Sequence, residues 1–174
     1  MGTTGAIIAQ AAAMGPRYAS RLIEEIPAER FGRFASPGGQ VVEANHPAFI
    51  LGHLCLYPQQ VLDFLGQDPA PIKPPENYTE LFSKKAKCQD DADGSLYPHK
   101  EELVAFFMNA HEAALDTIRE ATEEQLLSGN PVDTPLRKVA PTLGGLLTFY
   151  LTSHVMTHLG QLSTWRRMEQ MPPV

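Results

Sequence analysis

The stretch Leu147-Thr-Phe-Tyr150-Leu-Thr-Ser-His154-Val-Met-Thr-His158-Leu-Gly-Gln161-Leu162-Ser-Thr-Trp165 sets Leu147, Tyr150, His154, His158, Leu162 and Trp165 at helical spacing. It reads as one long helix running to about Met168. On such a helix the imidazoles of His154 and His158 leave one face about one turn apart, a spacing that lets both chelate a single metal ion. Between them stand Val155, Met156 and Thr157. There is thus no glutamate where a zinc protease of the H-E-x-x-H type keeps its general base. The pair points to a metal site before it points to any particular reaction.

Working outward, three more helical segments are expected. Residues from about Thr4 to Ile26 carry Ile8, Ala11, Tyr18, Leu22 and Ile26 near one side, with Gly15-Pro16 expected to kink the helix or delay its start. After Ser36-Pro37-Gly38-Gly39, Asn45 is placed to cap a second helix and Pro47 suits its first turn. Its stripe is Phe49, Ile50, His53, Tyr57, Val61 and Phe64, ending near Gly66. From Gln67 to Pro98 the chain is rich in proline and carries the acidic cluster Asp90-Asp91-Ala-Asp93-Gly94, which predicts a long connection with at most a short helix around Glu76 to Lys84. A third helix follows Pro98 to about Ala121, with Leu103, Phe107, Ala110 and Ala114 on one face and Val104, His111, Leu115 and Ile118 beside it. A polar stretch from Ser128 to Pro141 leads to the fourth. Four helices and no strand run predict an all-α fold, a four-helix bundle with a long crossover connection, as a single domain over residues 1–174.

Composition narrows the function classes. With 174 residues, 43% hydrophobic and 20% charged, the chain can bury one sizeable core. A net charge of −6 and the lack of any Lys/Arg stripe argue against nucleic-acid binding. The isolated pair Arg166-Arg167 fits a helix C-terminus, where positive charge offsets the helix dipole. Cys55 and Cys88 are too few for a disulfide scaffold and lack C-x-x-C spacing, so both are expected as reduced thiols. The start Met-Gly-Thr-Thr-Gly-Ala-Ile-Ile-Ala-Gln has no signal-peptide pattern, and no stretch approaches a membrane span. A cytoplasmic protein that does not enter membranes is expected.

Two imidazoles do not complete a site. His53, among Phe49, Ile50 and Tyr57 on a core-facing stripe, is the choice for a third ligand, because a neutral histidine there must find partners for its ring nitrogens. His111 is a boundary residue that is open to either role. His46 lies about 10 Å further along its helix and should miss the ion, and His99 is expected to face solvent. Gln161 can hold a ligand ring or be an ordinary surface amide. Tyr57 and Tyr150, four residues from His53 and His154, can donate into the cavity or serve packing alone. The run Gln89 to Lys100 is no calcium loop, since its first and twelfth positions are Gln89 and Lys100. Its acidic residues are expected to solvate the turn, with Asp93 or Ser95 helping to cap the third helix. Cys88, near Lys85 and Lys87, has no histidine base and is not expected as a nucleophile.

Asn45-His-Pro-Ala-Phe-Ile-Leu-Gly-His53-Leu and His154-Val-Met-Thr-His158-Leu-Gly-Gln161 together resemble the DinB-like superfamily. Leu22-Ile-Glu-Glu-Ile-Pro27-Ala-Glu-Arg-Phe is similar to its first-helix ending, and Tyr97-Pro-His-Lys-Glu-Glu-Leu103 with His111 to its third-helix region. The resemblance spans nearly the whole chain. It implies a four-helix bundle with a crossover and a divalent metal on His53, His154 and His158, with zinc expected ahead of nickel. It also implies a homodimer and kinship with bacillithiol- and mycothiol-dependent transferases, in which metal lowers a thiol's pKa. A metal-dependent transferase or hydrolase acting on a small molecule, with a low-molecular-weight thiol as partner, is therefore the leading expectation. The competing one is a non-catalytic, metal-stabilised bundle serving as a binding module. No catalytic side chain is assigned beyond the ligands.

Overall fold

The computed structural model describes residues 3–174, so Met1 and Gly2 of the N-terminal stretch quoted above lie outside it. The protein is all-α: among the described residues there is no strand, only two isolated antiparallel bridges, Ala35 with Val42 and Gly129 with Thr142. Nor is any described helix long and apolar enough to cross a membrane.

Helical conformation falls where the periodicity predicts it, but three of the four expected helices are divided. The first becomes α1 (Thr3–Ala12) and α2 (Met14–Ile23). Pro16 lacks an N–H, and its ring opposes the carbonyl four residues back, that of Ala12, where α1 ends. The break shifts the buried face, so Ala12 is buried and Ala11, which the expected stripe included, is exposed. The second is divided in the same way into α3 (Pro47–Leu54) and α4 (Pro58–Phe64). Pro58 opposes the carbonyl of Leu54, the last residue of α3. Between the ends of the crossover lie a single 3-10 turn, Ala70–Ile72, and one short α-helix, α5 (Tyr78–Phe82), which buries Tyr78 and Phe82. Then come the unbroken α6 (Lys100–Glu120) and α7 (Glu123–Leu127), a helix the periodicity does not predict. Its start is a capping box in which Thr122 and Gln125 satisfy each other's amides. The last helix comprises α8 (Leu143–Thr148), a π-helical segment Phe149–Ser153 and α9 (His154–Met168).

Caps differ from expectation too. His46, not Asn45, caps α3: its Nδ1 accepts from the Phe49 amide at 3.3 Å while its Nε2–H donates to the Gln89 carbonyl at 2.9 Å. The second bond fixes the tautomer that leaves Nδ1 free to accept. Neither Asp93 nor Ser95 caps α6, whose N-cap position is His99. Asp91 does not solvate the turn. It is buried, and its carboxylate accepts from the amides of Ser95, Leu96 and Tyr97.

α1 and α4 pack on α6, while α2 and α3 pack on α9, and α3 also reaches α6 and α5. One core gathers Leu22, Ile26, Phe31, Phe49, Phe82, Phe107, Leu159 and Trp165. A second gathers Ile8, Val61, Ile118, Leu147 and Leu151. Arg166 does sit in the last turn of α9, but it is buried rather than a surface charge at the helix end. Its guanidinium donates to the Leu22 carbonyl (2.7 Å), the Glu25 carboxylate (3.1 Å) and the Pro172 carbonyl (3.0 Å), tying α2 and the C-terminal residues to α9. This α2–α3–α9 packing brings His53 to the histidines of α9.

Candidate metal centre

His53 occupies the last turn of α3 and is buried, with 7% of the residue exposed. Its Nδ1–H donates to the Phe82 carbonyl at 2.7 Å. A carbonyl only accepts, so this bond places the proton on Nδ1 and leaves the Nε2 lone pair free to coordinate. The approach of α5 that supplies this carbonyl depends on Gly52, where a Cβ would meet the Phe82 ring at 2.4 Å. The crossover segment thus reaches back to aim the His53 ring.

On α9, His154 Nε2 lies 3.2 Å from His53 Nε2 and 3.1 Å from His158 Nε2. The three residues form the single metal-competent group of histidine, cysteine or carboxylate side chains among the described residues, with ligand atoms all within 4.8 Å of one another. Two nitrogens each about 2.0–2.1 Å from a tetrahedral ion stand roughly 3.3–3.4 Å apart. The observed spacing therefore suits ligands of one ion. His158 Nδ1 faces Gln161 Oε1 at 3.0 Å, and Oε1 also accepts from Asn45 Nδ2 at 3.2 Å. His158, like His53, is thereby set with its Nε2 lone pair inward. The lone pairs of His53 and His158 thus converge beside His154 Nε2, where a cation would be held by all three nitrogens. The donor set fits a divalent ion.

Electrostatics agree. Burial, followed by the neighbouring imidazoles of His158, His53 and His111, pushes the His154 pKa down to about 3. His53 is lowered by burial and by His158 against the opposing Phe82 bond, and His158 is lowered by burial against Gln161. Neutral imidazole is the metal-binding form. His154 Nδ1 is the one buried side-chain nitrogen or oxygen without a hydrogen-bond partner among the described residues.

The other candidates separate clearly. His111 lies outside the cluster: it is buried, its Nδ1–H donates to the Phe107 carbonyl at 2.9 Å, and its ring packs on Phe107. His46 is a buried cap and His99 is exposed. Tyr57 approaches closest, with its hydroxyl 3.4 Å from His53 Nε2 and its ring centroid 4.4 Å from that of His154. Tyr150 packs behind it at 5.0 Å between centroids. Periodicity alone does not predict the π-helical segment directly before His154. An extra residue in that turn rotates α9 relative to α8 and sets the direction in which His154 projects.

Three clefts of about 280, 320 and 350 Å³ lie elsewhere on the surface, and none is lined by the three histidines. The cluster is bordered by the rings of Tyr57 and Phe149, with centroids 4.4 and 5.7 Å from that of His154.

Two outcomes follow from these contacts. Replacing Gln161 by Ala removes the acceptor that orients His158. Loss of such a partner typically lowers metal affinity 10- to 100-fold, and because Gln161 is exposed the expected loss is about tenfold, measurable by competition with a chelating dye. An unchanged affinity would show that His158 is oriented without it. Acid should also destabilise the metal-free protein. Burial holds both His46 and His111 down to about 4 from an ordinary 6.5. Each is neutral when folded and protonates more readily when unfolded, so stability is complete above about pH 6.5 and is lost as pH falls toward about 4, by up to about 3 kcal/mol each. Calorimetry between pH 7 and 4.5 should record a falling Tm, and a flat profile would contradict the neutral burial of these rings.

Comparison with known proteins gives the family. The profile of the DinB superfamily matches residues 13–162, and the chain belongs to that superfamily. No curated protein and no solved structure matches it.

Proposed function

We propose that the protein is a divalent-metal-dependent enzyme that joins a low-molecular-weight thiol to an electrophilic small molecule. The observation that carries this reading is a cluster of three mutually facing imidazoles with no carboxylate among them. Three neutral ligands leave the full charge of a divalent ion uncompensated, and an ion so held supplies Lewis acidity that lowers the pKa of a thiol or water bound to it. Hydrolysis generally also calls for a general base, which the cluster lacks, whereas a thiolate attacks without one. The thiol must come from outside the chain. Cys55 is wholly buried, which pushes its thiol pKa far up, and burial pushes Cys88 up to about 11. In the transfer itself the sulfur forms a bond to the electrophilic carbon, the leaving group departs with its electron pair, and the thiol proton passes to solvent.

Three histidine nitrogens suit zinc and nickel, and zinc is the proposed ion on grounds of availability. A homodimer in the cytoplasm completes the proposal. The test is to follow consumption of a chloroaromatic electrophile with bacillithiol or mycothiol by zinc-loaded protein. Turnover that disappears in His154→Ala supports the reading. Tight metal binding without turnover of any thiol supports the metal-stabilised binding module.

A further inference from the structure

Among the described residues the Tyr57 hydroxyl has a single partner within hydrogen-bonding range, His53 Nε2 at 3.4 Å, a long contact for an O–H donor. That nitrogen carries a lone pair because its ring's proton is already committed to the Phe82 carbonyl at 2.7 Å. The phenol ring is held on three sides, with centroids 5.3 Å from His53, 4.4 Å from His154 and 5.0 Å from Tyr150. Its backbone is held as well, since Tyr57 stands at the N-cap position of α4, directly before Pro58. The hydroxyl is thus fixed at the rim of the three converging nitrogens. When a cation takes the His53 lone pair, the hydroxyl loses its acceptor while its ring remains clamped, and a part-buried donor without an acceptor is costly.

We propose that Tyr57 is a ligand-positioning residue whose hydroxyl donates a hydrogen bond to the anionic atom entering the remaining coordination position, the thiolate sulfur of the cosubstrate. The proposal rests on the metal-dependent reading above. Tyr150 carries the same group one ring further back and makes no hydrogen bond to the histidines, so it provides an internal control.

The experiment loads wild type, Tyr57→Phe and Tyr150→Phe with cobalt(II), then titrates each with sodium azide and with 2-mercaptoethanol while recording the visible spectrum. Expected are one cobalt per chain and closely similar cobalt affinity in all three proteins. Tyr57→Phe should bind both anions about tenfold or more weakly, the loss typical of one hydrogen bond to a charged acceptor, whereas Tyr150→Phe should match wild type. In turnover, Tyr57→Phe should raise the KM for thiol. Equal anion affinity in Tyr57→Phe and wild type would overturn the proposal while leaving the metal centre standing. So would a large loss of cobalt affinity in Tyr57→Phe, which would make the phenol oxygen itself a ligand. Failure of wild type to bind cobalt at all would overturn both the proposal and the metal-dependent reading.

Discussion

Replacing His154 by Ala is expected to lower metal affinity by two to three orders of magnitude while leaving the metal-free fold intact. His154 is the central member of the cluster, with its Nε2 at 3.2 Å from His53 and 3.1 Å from His158. Four-ligand zinc sites bind with roughly 10–16 kcal/mol, which divides to about 2.5–4 kcal/mol per ligand. Stability should move the other way. His154 is held neutral by burial, and its Nδ1 is buried without a partner, a condition that costs about 1–3 kcal/mol. Removing the ring relieves that penalty, and the packing lost with a part-buried side chain offsets part of the gain. The metal-free variant should melt no lower than metal-free wild type, whereas the zinc-loaded pair should separate widely in Tm. Isothermal titration and calorimetry on both proteins check this, with His99→Ala as the control, since His99 is exposed and far from the cluster in sequence. Equal affinity in His154→Ala and His99→Ala would remove the assigned site.

Trp165→Ala should give the largest loss of stability. The indole, carried on α9, is fully buried in the core that also holds Leu22, Ile26 and Phe31, and its Nε1–H donates to the Arg33 carbonyl at 3.0 Å. Truncating a buried tryptophan costs about 3–5 kcal/mol through lost transfer energy and the cavity left behind. Domains of ordinary size have only about 5–15 kcal/mol in total. At about 2–4 °C per kcal/mol for a chain of this length, Tm should fall by roughly 6–20 °C. Leu127→Ala, at a side chain 71% exposed, should stay within about 0.5 kcal/mol. Urea unfolding of the two variants separates them, and a loss below about 1 kcal/mol for Trp165→Ala would contradict the packing described.

The histidines were legible because ligand geometry on a helix is a matter of spacing. His154 and His158 are one turn apart on a stripe otherwise made of core residues, and His53 sits in a second such stripe. What spacing does not carry is the set of partners that aim the rings. The Phe82 carbonyl reaches His53 from 29 residues away and Asn45 reaches Gln161 from 116 away, distances along the chain over which periodicity says nothing. The same limit explains Arg166, whose place in the last turn of α9 was readable while its partner Leu22, 144 residues off, was not. The helix breaks are different, because their signal was present locally: Pro16 and Pro58 each end a helix four residues upstream; the kink at Gly15-Pro16 was expected, whereas the apolar stripe from Phe49 to Phe64 masked the break at Pro58. The cap on α3 fell to His46 over Asn45 because an imidazole becomes a good acceptor only once its other nitrogen is engaged, and Gln89 supplies that engagement from the crossover. The π-helical turn before His154 leaves no local mark, since it reflects how α8 and α9 pack on different cores.

The central claim is that three imidazoles hold one divalent ion. X-ray absorption at the zinc edge, on tag-free protein titrated with zinc and freed of excess, tests it most directly. The expected result is about one ion per chain with a first shell containing three imidazole nitrogens at about 2.0–2.1 Å. A protein that retains no zinc, or a zinc shell without imidazole scattering, would contradict it.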